Sequence, residues 1–352
     1  YNILELRADE NNDGGNDDII FKFTHDGTFR SEMRYDESSS TLELSTSDNR
    51  DDFSMDTDGK VTFKKDIATA QDYPNYRPTL DFNFAAEKVL DPRISYSRSG
   101  SASFINEFGK VVLVGANAPR FDHDPETREC KGLLIEESRT NLLYPSSNWS
   151  STYWSLTAVT SEPFTTDTED PAGTFTASKL IPIQGNTALK DIHWASSSLT
   201  FANGTKYAAS VFAKSTTGLV LQLRPRGQGS NKAWVNYNLS TGTIGNYGGT
   251  TLLTKEIEKY PNGWYRCSLT FTGSGNSGAG FGTLIMDDDT DTEAVAHTGD
   301  SSKSLYLWGA QHEEGAFPTS YIPTYNIASE TRGDDDLIID GEDLTDFHNQ
   351  PE

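Results

Sequence analysis

Short runs of alternating apolar and polar residues fill most of the chain, and a period of two is the pattern of half-buried β-strands. GLVLQLRPR (218–226) sets Leu219, Leu221 and Leu223 on one side and Gln222, Arg224 and Arg226 on the other. KAWVNYNL (232–239) sets Ala233, Val235, Tyr237 and Leu239 against Trp234 and Asn236. GWYRCSLTFTG (263–273) sets Tyr265, Cys267, Leu269 and Phe271 against Trp264 and Arg266. TFTASKL, KYAASVFAKS, GFGTLIMD and SLYLWGAQ read alike, and turns such as LSTGTIGNYGG divide them. Strands at this spacing predict a β-sandwich over residues 144–325.

The first 70 residues are thinner. FKFTHDGTF (21–29) and FSMDTDGKV (53–61) superpose without a gap, each with Asp-Gly between alternating apolar positions, a strong hairpin signal. STLELSTS (40–47) alternates between them. So few large apolar residues among so many charges cannot hold a monomeric domain, so residues 1–70 are expected to be an oligomerising β-hairpin shaft that folds with copies of itself. Residues 71–143, with SASFI, KVVLV and GLLIEE between turn residues, read as a β-rich connector or collar. Its one helical signal is DFNFAAEKVL (81–90). Residues 326–352 read as a linker toward a further module. The expected fold is all-β: a thin hairpin shaft, a β-rich connector, then a jelly-roll β-sandwich.

Charge narrows the partners. The 352 residues carry 52 acidic and 29 basic side chains, a formal charge of −23. That field repels phosphate backbones and argues against nucleic acid. It also favours a saline medium or bound divalent cations, which screen self-repulsion. No apolar run nears the roughly 20 residues needed to cross a bilayer as a helix. Cys130 and Cys267 are the only cysteines, and the alternation makes Cys267 a small core residue; a bridge between the two has no support in the pattern. The start at Tyr1, without Met or an apolar leader, reads as a fragment of a longer polypeptide.

Most chemical motifs dissolve on inspection. GSGNSG (273–278) matches GxGxxG, but a strand pattern follows it where a nucleotide site needs a helix, so it reads as a hairpin loop. The six histidines have no metal-ligand spacing. In DENNDGGNDD (9–18), Asp9, Asn11 and Asp13 match the start of an EF-hand loop, and Asp17 is a candidate to close a different calcium loop, because the twelfth position is Ile20. Calcium is the one cofactor raised, against a solvated acidic loop. DDDTDTE (287–293) and the acids of 334–343 read as solvated faces. With so many acids, none stands out as a catalytic pair, and enzyme activity is not expected.

The polar faces of the sandwich strands carry the binding candidates. Sugar recognition uses flat apolar rings against C–H faces and planar amide or guanidinium groups for hydroxyls. Trp234, Trp264, Gln222, Arg224, Asn236 and Arg266 supply that mixture. The competing reading is that each tryptophan is covered by a loop, the connector or a neighbouring subunit.

NLLYPSSNWSSTYWSL, YAASVFAKS, WVNYNLSTGTIG, NGWYRCSLTFTG and LYLWGAQHEEGAFPTSYIPT, in that order, resemble the jelly-roll modules of tailed-bacteriophage structural proteins, which are related to galactose-binding-like carbohydrate-binding modules. GLLIEESRTNLLY (132–144) resembles their lead-in, so that half to two-thirds of the chain is covered. The resemblance implies a tail fibre, tail spike or capsid fibre on the virion exterior, commonly a homotrimer. Its partners would be other virion proteins and host-surface glycan. Related modules often hold calcium through an acidic residue in the last strand, where this chain reads LWGAQ. On that strand Leu305 and Leu307 should point inward, leaving Tyr306 and Trp308 to pack beneath a neighbouring segment. The alternatives are a purely structural spacer or docking protein, and the non-catalytic part of a polysaccharide depolymerase.

Overall fold

The computed structural model describes residues 2–7, 19–25, 28–36, 41–45, 53–55, 57, 61–63, 83–194, 200–227, 232–276, 280–325 and 328–339. The chain divides into two compact units, Tyr1–Arg77 and Pro78–Glu352. Among the described residues there is no α-helix; DFNFAAEKVL, expected to carry helix, has only turns over 83–90. Asp9, Asn11, Asp13 and Asp17 lie outside the described residues.

In the first unit, β1 (Asn2–Arg7), β2 (Ile19–His25), β3 (Thr28–Asp36), β4 (Thr41–Ser45), β5 (Phe53–Met55) and β6 (Val61–Phe63) form one antiparallel meander in sequence order. β2 and β3 flank the first Asp-Gly, and β5 and β6 flank the second. The register aligns Leu6, Phe21, Met33, Leu44, Phe53 and Phe63 in a row across all six strands. Since alternate residues share a face, the row defines an apolar side. On the opposite side the backbone register sets Glu5 across from Lys22, Lys22 across from Glu32, and Arg34 across from Glu43. Met33, Leu44 and Met55 on the apolar side are 38–41 % exposed.

The second unit is a two-sheet sandwich. Its strands are β13 (Trp154–Thr157), β14 (Val159–Glu162), β15 (Ser178–Pro182), β16 (Asp191–Trp194), β17 (Lys206–Ser215), β18 (Val220–Leu223), β19 (Trp234–Asn238), β20 (Thr243–Gly248), β21 (Leu252–Lys259), β22 (Tyr265–Thr272), β23 (Gly282–Met286) and β24 (Leu305–Glu314). One sheet runs β13-β16-β23-β18-β19-β20 and the other β14-β15-β24-β17-β22-β21, with every neighbouring pair antiparallel. This is the jelly-roll arrangement expected. The inward sets Leu219–Leu221–Leu223, Ala233–Val235–Tyr237–Leu239 and Tyr265–Cys267–Leu269–Phe271 all lie in one core cluster between the sheets. Both cysteines are free.

On β24, Leu305 and Leu307 face the core while Tyr306 and Trp308 face outward. Gly309 then adopts φ 61° and the pairing with β17 shifts register opposite Ser210–Phe212. The bulge moves the alternation by one residue: Ala310 joins the core, His312 stacks on Phe201 at 4.7 Å, and Gln311 and Glu313 turn to the outer face. LSTGTIGNYGG, read as a divider, contributes an edge strand, Thr243–Gly248.

The connector and the tail cover one outer face of the sandwich. The connector forms β7 (Ser95–Ser97), β8 (Ala102–Ile105), β9 (Val111–Val114), β10 (Phe121–His123), β11 (Cys130–Leu133) and β12 (Arg139–Asn141). Residues 328–339, expected as linker, supply β25 (Glu330–Arg332) and β26 (Asp336–Ile338), which pair with β12 and β7. A buried ion-pair network joins the tail to the connector. Arg98, Arg120 and Arg332, each at most 2 % exposed, converge on Asp335 and Glu136, with Arg120–Glu136 at 2.8 Å and Arg332–Glu136 at 2.9 Å. Burial of this kind demands pairing, since an isolated buried charge is costly.

Candidate functional site

The six candidate sugar-contacting side chains fall on opposite outer faces of the sandwich, and the structure does not bring them together. Gln222 and Asn236 are fully buried. Gln222 donates to Asn236 Oδ1 at 2.7 Å and to the Thr292 carbonyl at 3.2 Å, and its Oε1 accepts from Ala294 N at 3.0 Å. Asn236 donates to the carbonyls of Asp289 and Asp291 at 3.2 and 2.8 Å. Arg224 pairs with Glu293 at 3.1 Å. The acidic stretch DDDTDTE is therefore laid over this sheet and pegged to it. Trp234, 9 % exposed, lies against Gly248, where a Cβ would sit 2.9 Å from its indole nitrogen.

On the other sheet, Trp264 is fully buried with Phe212, Tyr260, Tyr306, Trp308, Tyr321 and Val111 of the connector. Its Nε1 donates to the Glu169 carbonyl at 2.8 Å. Arg266 donates to the Thr319 carbonyl at 2.6 Å and to Ser210 Oγ at 3.2 Å. The alternation correctly sends both tryptophans away from the central core, but further chain covers each ring, so an exposed Trp234/Trp264 platform does not exist. Tyr306 and Trp308 pack as expected, at 6 % and 5 % exposure.

The lead-in and the exit form the clamp between connector and sandwich. Asn141, fully buried, donates to the Ala310 and Ile322 carbonyls at 3.0 and 2.9 Å and accepts from Leu143 N and His312 N at 3.1 Å. Glu313 accepts from Thr319 N at 2.8 Å, Thr319 Oγ1 at 2.7 Å and Gln311 Nε2 at 2.8 Å. Gln311 Oε1 receives Ile322 N at 2.7 Å. These bonds fix the Pro318–Thr324 segment against β24.

Beside the clamp opens a cleft of about 330 Å³. Trp308 and Tyr321, with ring centroids 4.7 Å apart, and Val111 form its buried part. Phe164 and Tyr325, 55 % and 70 % exposed, border it, together with Leu113, Pro145 and Pro323. Ser147, Asn148, Thr174 and Thr176 add hydroxyl and amide groups to the lining. Phe164 holds φ 55°, a left-handed conformation that is an outlier for a bulky side chain and is found where the surroundings enforce it.

Asp170 holds the part of the cleft lining made by Ala172, Thr174 and Thr176. Only 3 % exposed, it accepts from Ala172 N and Thr174 N at 3.0 Å, Thr174 Oγ1 at 2.6 Å, Thr176 N at 2.9 Å and Thr176 Oγ1 at 2.7 Å. Burial alone would raise its pKa, yet the donors together hold the carboxyl below its ordinary range. Thr176 Oγ1 in turn accepts from Trp308 Nε1 at 2.9 Å. Phe164, Asp170 and Tyr325 carry no distinguishing sequence pattern: they stand in irregular segments whose approach only the tertiary fold reveals.

No protein-family model matches the chain, and no curated protein matches it. Among solved structures, the enzymatically active domain of bacteriophage CBA120 tailspike protein 4 is 12 % identical, with 49 % of this chain and 21 % of that chain covered and a TM-score of 0.30. The CBM22-1 xylan-binding domain of Paenibacillus barcinonensis Xyn10C is 10 % identical over 52 % of this chain and 97 % of that one, with a TM-score of 0.29. TmCBM27, a mannan-recognising carbohydrate-binding module, is 14 % identical over 52 % and 98 %, with a TM-score of 0.27.

Proposed function

We propose that the aromatic cleft binds carbohydrate and that the chain is a glycan-reading component of a virion exterior. The observation that carries the binding reading is the pair of exposed rings, Phe164 and Tyr325, beside a hollow lined with apolar surface and a few hydroxyl and amide groups. Rings of this kind stack on the C–H faces of sugars, while the polar groups meet hydroxyls. The cleft volume lies within the roughly 300–1,000 Å³ range of small-molecule sites. The virion setting rests on the ordered motifs from GLLIEESRTNLLY to TSYIPT and is an inference from resemblance.

The N-terminal sheet supports self-assembly, which we take to be trimeric. A single sheet with one apolar side is stable when that side is covered, and equivalent faces on other copies match it in extent and polarity. Joined copies would strengthen weak sites through avidity. We read the chain as a binder rather than a catalyst; release of reducing sugar from a bound glycan would contradict that. A glycan array probed with the whole chain tests the reading: specific retention is expected, and absence of any retained glycan would reject it.

A further inference from the structure

A second hollow adjoins the aromatic cleft, with Val111 and Tyr321 lining both. Its volume is about 140 Å³, the liquid share of roughly four or five waters. The lining is of a different kind. Asp122, His123 and Lys131 come from the β10–β11 hairpin, and Glu258 and Arg266 from β21 and β22. Glu136, also present, is committed to Arg120 and Arg332.

Several of these groups keep unused hydrogen-bonding capacity. His123 is only 3 % exposed; its Nδ1 meets the Ile105 carbonyl at 3.0 Å, while Nε2 is buried without a hydrogen-bond partner. Nε of Arg266 is in the same condition. Asp122 receives Ile105 N on Oδ1 at 2.7 Å, and burial raises its carboxyl above the ordinary range. With Glu136 neutralised by its two arginines, Asp122 and Glu258 face Arg266 and Lys131, the last of which also pairs with Asp124 at 3.4 Å. A balanced lining gives little net attraction to an ion of either sign, yet it offers both donors and acceptors. Hydroxyl groups, which both donate and accept, satisfy such a lining.

We propose that this hollow, walled by Asp122, His123, Lys131, Glu258 and Arg266, is a second site that takes one neutral sugar residue. The choice of sugars among neutral polyols rests on the glycan reading of the adjoining cleft. The site would hold a terminal or branching residue while the aromatic cleft stacks its neighbour. Shape and hydroxyl pattern, not charge, would then set selectivity at this end.

The test is saturation-transfer NMR and calorimetry on the whole chain. Neutral probes are the methyl glycosides of glucose, galactose and mannose; charged probes are glucuronate and glucosamine. At least one neutral glycoside should bind, with both charged sugars at least tenfold weaker. Glu258→Gln and Asp122→Asn should each weaken the neutral sugar about tenfold, and Glu258 sits on an edge strand where the change leaves the fold intact. Phe164→Ala with Tyr325→Ala should leave monosaccharide binding unchanged, even if array binding is lost, which separates this site from the cleft. No neutral binding, equal or tighter binding of a charged sugar, or indifference to both carboxamide variants would overturn the proposal.

Discussion

Gln222 donates to Asn236 across β18 and β19 at 2.7 Å, and neither side chain reaches solvent. The pair is the peg on which the 287–294 segment hangs, through Thr292, Ala294, Asp289 and Asp291. Removing one partner strands buried donors and acceptors, which costs about 1–3 kcal/mol per group. Asn236→Ala is expected to lower stability by about 2–3 kcal/mol and to speed amide exchange across 287–297. Glycan binding should be unaffected, because this face is opposite the cleft.

The network of Arg98, Arg120, Arg332, Glu136 and Asp335 ties the tail to the connector. Truncating one member of a buried ionic cluster leaves its partners unpaired, at about 3–5 kcal/mol. Asp335→Ala should therefore lower the denaturation midpoint strongly. A chain ending at residue 327 should show the same loss, whereas a free linker would be removed at no cost. Calorimetry on the two variants checks this.

His312 sets an acid limit. Burial among aromatic rings pushes its pKa down to about 3 from an ordinary 6.5. Between those values the unfolded chain binds a proton that the folded chain does not, so stability falls as pH falls, by up to about 5 kcal/mol in total. Asp170 and Asp335, held below the carboxylate range, also lose stabilisation on acidification, but only as pH drops through about 4 and below. Asp122, whose pKa is raised, has the opposite sign. His312→Leu should therefore flatten the fall in stability between pH 6 and pH 5 in denaturant titrations.

Charge placed on the apolar side of the N-terminal sheet should disrupt assembly. Met33 and Leu44 are directly opposed across β3 and β4 and both are exposed. Met33→Glu with Leu44→Lys is expected to shift the sedimenting species toward monomer while the sandwich keeps its thermal midpoint. A wild-type chain that is monomeric in dilute buffer would contradict the self-assembly reading.

Alternation along individual strands was legible in the sequence, and so was the core that follows from it. Leu221, Val235, Cys267 and Leu307 lie where period two puts them. What the pattern could not reveal was the second covering layer. Nothing local to Trp264 announces that Val111 of a distant hairpin will lie over it. Nor does DDDTDTE show that Gln222 and Asn236 will bind its carbonyls. The phase shift at Gly309 is a one-residue event that no periodicity carries, yet it turns Gln311 and Glu313 toward the exit segment. Asp335 looked like one acid among many; its role depends on Arg98 and Arg120, which lie far upstream in the connector.

Calorimetric titration of the strongest array-binding oligosaccharide into wild-type chain and into the Phe164→Ala/Tyr325→Ala variant is the most direct test of the cleft. The account predicts saturable binding to wild type and at least a tenfold loss in the variant, about 1.4 kcal/mol, with an unchanged thermal midpoint. Equal affinity in the two proteins would show that the sugar is read elsewhere.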